Sequence, residues 1–319
     1  MQEIAVTDIG NVRIGQAEDT EAATGCTVIL CPDGAPVGVD VRGGGPASRE
    51  TDLLDPLSGT EVVHAVVLSG GSAFGLDAAG GVMRYLEERG IGFDVGITRV
   101  PLVCQSCLFD LGVGSSTVRP DAAMGYAACV ASERGNYRDG NYGAGTGASV
   151  GKLHGIGTAM KSGIGSYAIS IGDLKIGAVV AVNAYGDVFD WKTGQKAAGL
   201  LTEDGKGFRS STAELYDRYF ENRNRFTANT TIGAIITNAR FDKRMLKKIA
   251  GMTHNGLARA IRPVHTSADG DSVYAISAGD LTADPDSVGT LAADVMAEAI
   301  LRAVLSAESA YGLKAACDL

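Results

Sequence analysis

What the chain has little of narrows it first. Aromatic residues make up only 6% of its 319 residues, and it holds just 8 Pro and 4 His. Basic residues are not in excess: 28 Lys and Arg stand against 37 Asp and Glu, for a net charge of −9. With no basic patch to offset that charge, nucleic acid is not expected as a partner. No apolar run approaches the ~18 residues of a membrane-spanning helix, so no membrane partner is expected either. The start, Met1-Gln2-Glu3-Ile4, lacks the cationic and apolar regions of a secretion leader. A soluble, cytoplasmic protein is the expectation. The six cysteines (26, 31, 104, 107, 129 and 317) are scattered, which excludes a dense disulfide framework. Cys104-Gln105-Ser106-Cys107 is a lone CxxC with no second Cys or His pair nearby. It is read as structural thiols, and no metal or organic cofactor is expected.

What is present is apolar and small. Hydrophobic residues reach 45%, charged residues 20%, and there are 44 Gly. The core is ample, and Gly without a period implies tight turns and close backbone packing. No internal repeat is visible.

Short strand-like pieces fill residues 1–40, and Pro32-Asp33-Gly34 reads as a hairpin turn before Val37 to Val41. A polar Gly-rich loop, Arg42-Gly43-Gly44-Gly45-Pro46, is long enough to be more than a connector. Val62 to Leu68 is a continuous apolar strand, as expected when both faces are covered. It leads through Ser69-Gly70-Gly71-Ser72 into a helix ending at Gly90, an arrangement able to cradle an anion or carboxylate or simply to pack closely. A second helix spans Asp121 to Glu133. Gly147-Ala148-Ser149-Val150-Gly151 matches a serine-nucleophile elbow but lacks the strand that the elbow needs before the serine. Gly143-Ala144-Gly145 is a weak dinucleotide signal for the same reason. Lys175 to Asn183 is a core strand whose final amide either donates to an oxyanion or starts a turn. Residues 192–228 are polar and read as a surface linker or mobile loop suited to a processing site just beyond it. A one-faced helix covers Asp242 to Ile261. Asp269-Gly270-Asp271 is either an amine-anchoring acid pair or an Asp-Gly turn. Asp286 or Ser287 is expected to cap a long Ala-rich helix reaching about Ala310. Paired strands flanked by two pairs of long helices imply two stacked sheets between helical layers.

The chain centres on Asn229-Thr230-Thr231-Ile232, where the polar run meets a β-branched strand. A hydroxyl there can attack the Asn229 carbonyl, convert the peptide to an ester, and leave Thr230 as a new N-terminus after hydrolysis. The freed amine, with an ordinary pKa of about 7.7–8.0, can then act as base for its own hydroxyl.

In these residues the chain resembles the DmpA-type family of self-processing hydrolases, which includes L-aminopeptidase/D-esterases, β-aminopeptidases and nylon-oligomer hydrolases. The likeness covers nearly the whole chain. It is carried by Asp40-Val41-Arg42-Gly43-Gly44, Glu50-Thr51-Asp52, Ser69-Gly70-Gly71-Ser72-Ala73-Phe74-Gly75, Gly143 to Ala148, Asn229-Thr230-Thr231-Ile232 and Gly256 to Thr266. The resemblance implies one α+β domain over 1–319, an αββα four-layer sandwich like that of the Ntn hydrolases with DmpA-type connectivity. It implies self-cleavage into 1–229 and 230–319, two chains that stay together, and a homotetramer of that unit. It implies Thr230 as nucleophile, with Lys152, Asn183, Asp269 and Asp271 as the other active-site groups and Gly71, Ser72 and Phe109 near the substrate. Phe109 stands where the family carries Tyr, which puts that hydroxyl's role in doubt. The expected function is an N-terminal-threonine amidohydrolase or aminopeptidase acting on small peptides or amides. The alternatives are an endo-acting hydrolase of 6-aminohexanoate oligomers, a serine hydrolase using Ser149, and a non-catalytic small-molecule-binding protein.

Overall fold

A computed structural model describes residues 1–220 and 229–319. Eleven strands form two sheets: β1 Gln2–Ile4, β2 Arg13–Asp19, β3 Thr24–Ala35, β4 Val37–Val41, β5 Ala47–Arg49, β6 Val63–Ser69, β7 Val103–Cys107, β8 Ile164–Ile171, β9 Leu174–Asn183, β10 Thr230–Ala239 and β11 Ser272–Leu281. One sheet runs β1-β8-β9-β10-β11-β4, the other β2-β3-β6-β7-β5. Pairing is antiparallel except between β10 and β11 and between β6 and β7.

Alternation along β9 and β10 explains the stacking. Val179, Ala181, Ile232 and Ile236 point inward and meet Ile29, Val66 and Leu68 of the other sheet. Val180, Val182 and Ile235 point outward, beneath α4 (Lys243–Ala260) and α5 (Pro285–Leu305). The second sheet's outer face is covered by α1 (Ala78–Glu87) and α2 (Ala122–Ser132). The order helix, sheet, sheet, helix is the expected αββα sandwich, and burial on both faces is why its strands are continuously apolar.

Three local expectations are corrected. Pro32-Asp33-Gly34 is not a hairpin turn. Leu30 lies opposite Ala65 and Ala35 opposite Val63, so the turn residues are the extra residues of a bulge. After it the chain crosses sheets, and β4 pairs with β11. The last helix starts at Pro285 behind the cap Asp284, whose carboxylate accepts the Ser287 N–H at 2.8 Å, and ends at Leu305; proline suits a first helical position because its missing donor is not needed there. Residues 192–220 are not a bare linker. A strand, Lys196–Ala198, and a short helix, α3 (Ser211–Asp217), converge on buried Asp187. That carboxylate accepts from the Lys196 ammonium at 2.6 Å, the Ser211 hydroxyl at 2.7 Å and the Leu200 N–H at 2.8 Å. The polar side chains that suggested a surface serve one buried acid. The remainder of the expected loop, 221–228, lies outside the described residues.

Candidate active site

Thr230 opens β10 opposite Asn183, the last residue of β9. Directly opposed residues project to the same face, here the layer between the sheets. Both are buried, Thr230 with 4% of its surface exposed. The Thr230 hydroxyl donates to the carbonyl oxygen of Asn229, the bond it was expected to attack. That oxygen also accepts the Gly270 N–H at 2.8 Å, and Asn229's own N–H is held by the Ala268 carbonyl at 3.0 Å. The junction is thus clamped on a loop between α4 and β11 that carries Asp269 and Asp271.

Each acid has defined donors. Asp271 accepts the Thr231 N–H at 2.7 Å through one oxygen, and the His265 N–H (3.1 Å) and Nδ1 (2.8 Å) through the other. Asp269 accepts from the Thr266 N–H at 3.0 Å, the Thr266 hydroxyl at 2.5 Å and the Tyr185 N–H at 3.3 Å. Burial, and then the charge of Asp271, push the Asp269 carboxyl up to about 6. The Gly-rich loop after β4 wraps this acid loop by backbone bonds, from Arg42 N–H to Asp271 O at 3.0 Å and from Gly45 N–H to Asp269 O at 2.8 Å. A Cβ on Gly43 would stand 2.3 Å from the Asp271 nitrogen, so only glycine allows that approach.

Lys152 reaches Asn183 from the other side. Its ammonium lies 2.6 Å from Asn183 Oδ1 and 3.0 Å from the Asn183 carbonyl. Burial lowers it to about 7, against the pull of Asp269 and Asp110. One Asn183 amide hydrogen goes to the Phe109 carbonyl at 2.8 Å. Phe109 therefore touches the site through its backbone.

The structure thus gathers Asn229, Thr230, Asn183, Lys152, Asp269 and Asp271 around one strand end. Gly71 and Ser72 stand one layer further back. The Gly71 N–H donates to Asp110 Oδ1 at 2.8 Å, and the Ser72 N–H donates to the Leu108 carbonyl at 2.9 Å. The expected anion cradle already holds a carboxylate of the chain itself. Ser149 is not on an elbow: a short 3-10 turn, Gly143–Gly145, precedes it where a strand is required, and its N–H donates to Asn183 Oδ1 at 3.1 Å. Cys104 and Cys107 are three residues apart on β7, so their side chains leave opposite faces.

Two participants escaped the sequence. The Gly270 N–H is a backbone group, invisible to residue type, and its glycine read equally as a turn. His265 lay in a quoted motif and was given no role at the threonine junction.

The profile of peptidase family S58 matches residues 5–317. The chain belongs to that family. A Mycobacterium tuberculosis protein named as an uncharacterized aminopeptidase is 38% identical over 347 residues, covering 99% of this chain and 97% of that one. A 6-aminohexanoate-oligomer endohydrolase from Agromyces is 33% identical over 311 residues, covering 93% and 84%. Among solved structures, the L-aminopeptidase D-Ala-esterase/amidase of Ochrobactrum anthropi, described as a variant of the Ntn-hydrolase fold, superposes with a TM-score of 0.71 at 19% identity. It covers 98% of this chain and 90% of that one. A Burkholderia β-aminopeptidase gives 0.67 at 19%, with the same coverage. The S58 chain is a hydrolase with an Ntn-type fold, as its resemblance implied. Among the described residues no helix is long and apolar enough to cross a membrane.

Proposed function

We propose that this S58 member is an autoproteolytic N-terminal-threonine amidohydrolase that acts as an aminopeptidase on small peptides or peptide-like amides. The observation that carries the reading is the junction itself: the Thr230 hydroxyl lies on the Asn229 carbonyl, and the Gly270 N–H takes the same oxygen. In processing, Thr230 Oγ bonds to the Asn229 carbonyl carbon and negative charge builds on the oxygen held by Gly270. The C–N bond then breaks as the nitrogen takes a proton, leaving an ester. Water cleaves the ester to an Asn229 carboxylate and a free Thr230 amine. Turnover repeats the chemistry on a substrate amide. The amine takes the hydroxyl proton and passes it to the leaving amine, and an acyl-enzyme forms on Thr230 and is hydrolysed. The remaining Asn183 amide hydrogen and Lys152 are the candidates to steady the substrate oxyanion. Asp269 and Asp271 favour the cationic form of an amine, whether the enzyme's own or the substrate's, which supports action at a free N-terminus. The products 1–229 and 230–319 stay together, and their two-chain unit assembles as a tetramer.

The first test is an intact mass of the denatured full chain beside its Thr230→Ala variant. Two masses divided at Asn229–Thr230 are expected for the wild type. A single uncut mass is expected for the variant, with turnover reduced at least ~10⁴-fold. A variant that stays uncut yet keeps its activity would overturn the mechanism.

The similarity to named 6-aminohexanoate-oligomer endohydrolases favours a second reading, endo-acting cleavage of such oligomers. Equal hydrolysis of amine-blocked and amine-free amides would support it; strict dependence on a free amine supports the aminopeptidase.

A further inference from the structure

His265 has no step in the mechanism above, yet it is bound to it. It lies on the loop between α4 and β11 with φ +57°, a left-handed conformation. Its N–H and its ring Nδ1 both meet Asp271 Oδ2, at 3.1 and 2.8 Å. Facing a carboxylate oxygen, Nδ1 is the nitrogen that carries the hydrogen. Asp271's other oxygen holds the Thr231 N–H at 2.7 Å, one residue from the nucleophile.

The ring's outer side is fixed as well. His254 of α4 packs against it edge to face, with centroids 4.7 Å apart. His254 Nε2 donates to the Asp40 carbonyl oxygen at 3.0 Å. Burial holds His254 at about 4, against its Asp40 bond, so it stays neutral near pH 7. The charged groups around His265 are therefore Asp271 and Asp269 on its own loop, Asp40 and Arg42 behind His254, and Lys152 across the site beside Asp269. Without the ring, Asp271 Oδ2 would keep only the longer of its two bonds, from the residue 265 N–H at 3.1 Å. With the Nδ1 hydrogen at 2.8 Å as well, the carboxylate is held more firmly against turning about its last torsion.

We propose that His265 is a positioning residue of the threonine centre. Its two donors lock Asp271 so that the opposite oxygen fixes the Thr231 N–H, and with it the backbone bearing the Thr230 hydroxyl and, after cleavage, the amine. This rests on Thr230 being the nucleophile.

The backbone supplies a clean test. Asn and Gly both tolerate a left-handed φ, and an Asn side-chain amide places a donor where Nδ1–H stood. His265→Asn and His265→Gly thus share a relaxed backbone and differ in the donor. In the full-length chain, His265→Gly should lower kcat and the self-cleavage rate ~10–100-fold. KM should stay within ~3-fold, so that the loss falls on kcat rather than on binding. His265→Asn should recover most of the rate, with both variants unfolding at similar temperature. A Gly variant as fast as wild type, or an Asn variant as slow as Gly, overturns the proposal. Turnover by Thr230→Ala would overturn the nucleophile assignment and this proposal with it; the His265 variants cannot imitate that result, because both keep Thr230.

Discussion

Asp269 and Lys152 set the pH behaviour of single side chains here. Asp269 sits near 6 because burial opposes its charge, and Asp271 adds repulsion. The Thr266 hydroxyl works the other way, donating to it at 2.5 Å. If ionised Asp269 supports turnover, activity falls as pH drops through about 6. Thr266→Val should then move that acid limb upward by roughly 0.5–1 unit, and a pH profile of kcat/KM checks it; an unmoved limb would assign it to another group. Lys152 gives a prediction for stability. An unfolded lysine takes its proton below about 10.5, whereas in the fold burial delays this to about 7. Folding between these values expels a proton, so the stability contribution of Lys152 is complete above about 10.5 and is lost as pH falls towards 7. The stability of wild type minus that of Lys152→Met should therefore grow by on the order of a few kcal/mol from pH 7 to 10, as read by denaturant titration.

Close backbone approach governs the elements. Glycine serves it in two places with different consequences. Gly43 lets the loop after β4 lie on the acid loop, and a Cβ there would meet Asp271 N at 2.3 Å and Asp269 O at 2.4 Å. Gly256 lets α4 lie on α5, and its Cβ would meet the Ala293 carbonyl at 2.3 Å. Each alanine substitution should cost about 1–3 kcal/mol, because backbone atoms must move. Their effects on chemistry should differ. Gly43→Ala should slow self-cleavage at least ~10-fold, while folded Gly256→Ala should cleave at the wild-type rate. Thermal melts and gel time courses on the two variants measure this. The same packing explains why the sequence is rich in small residues and poor in aromatics.

Across the whole molecule, the proposed cut would fall inside a sheet. The product from 230 onward would supply β10 and β11, interior neighbours in the six-stranded sheet. β9 and β4, from the other product, flank them. Parting the two would break both ladders and expose two hydrophobic layers. The processed chains should therefore co-elute in native size exclusion and separate only in denaturant, with one cooperative unfolding transition. Native dissociation at moderate salt would contradict this, since the contacts are mainly apolar and backbone, and ion pairs such as Arg302–Glu3 lie at the surface.

Much of this was legible in the sequence, for physical reasons. Burial on both faces forces unbroken apolar runs, so β6, β9 and β10 stood out. A hydroxyl residue where a polar run meets such a strand marked Thr230, and the ordered motifs brought Asn183, Lys152, Asp269 and Asp271 with it. One-faced apolar periodicity located α4. What remained hidden depends on partners distant in the chain. Pro32-Asp33-Gly34 carries turn chemistry, and only the offer of an edge beside β11 makes it a bulge between sheets. The polar run around 192–220 looked exposed because its partner, the buried Asp187, is recognisable only once folded. The Gly71 loop read as an open cradle until Asp110 was seen to occupy it. The Gly270 N–H and the His265 bonds belong to positions in space rather than to residue types. Sequence determined which groups could do the chemistry; tertiary structure alone decided which oxygen each donor meets, because hydrogen bonds depend on distances that residue order does not encode.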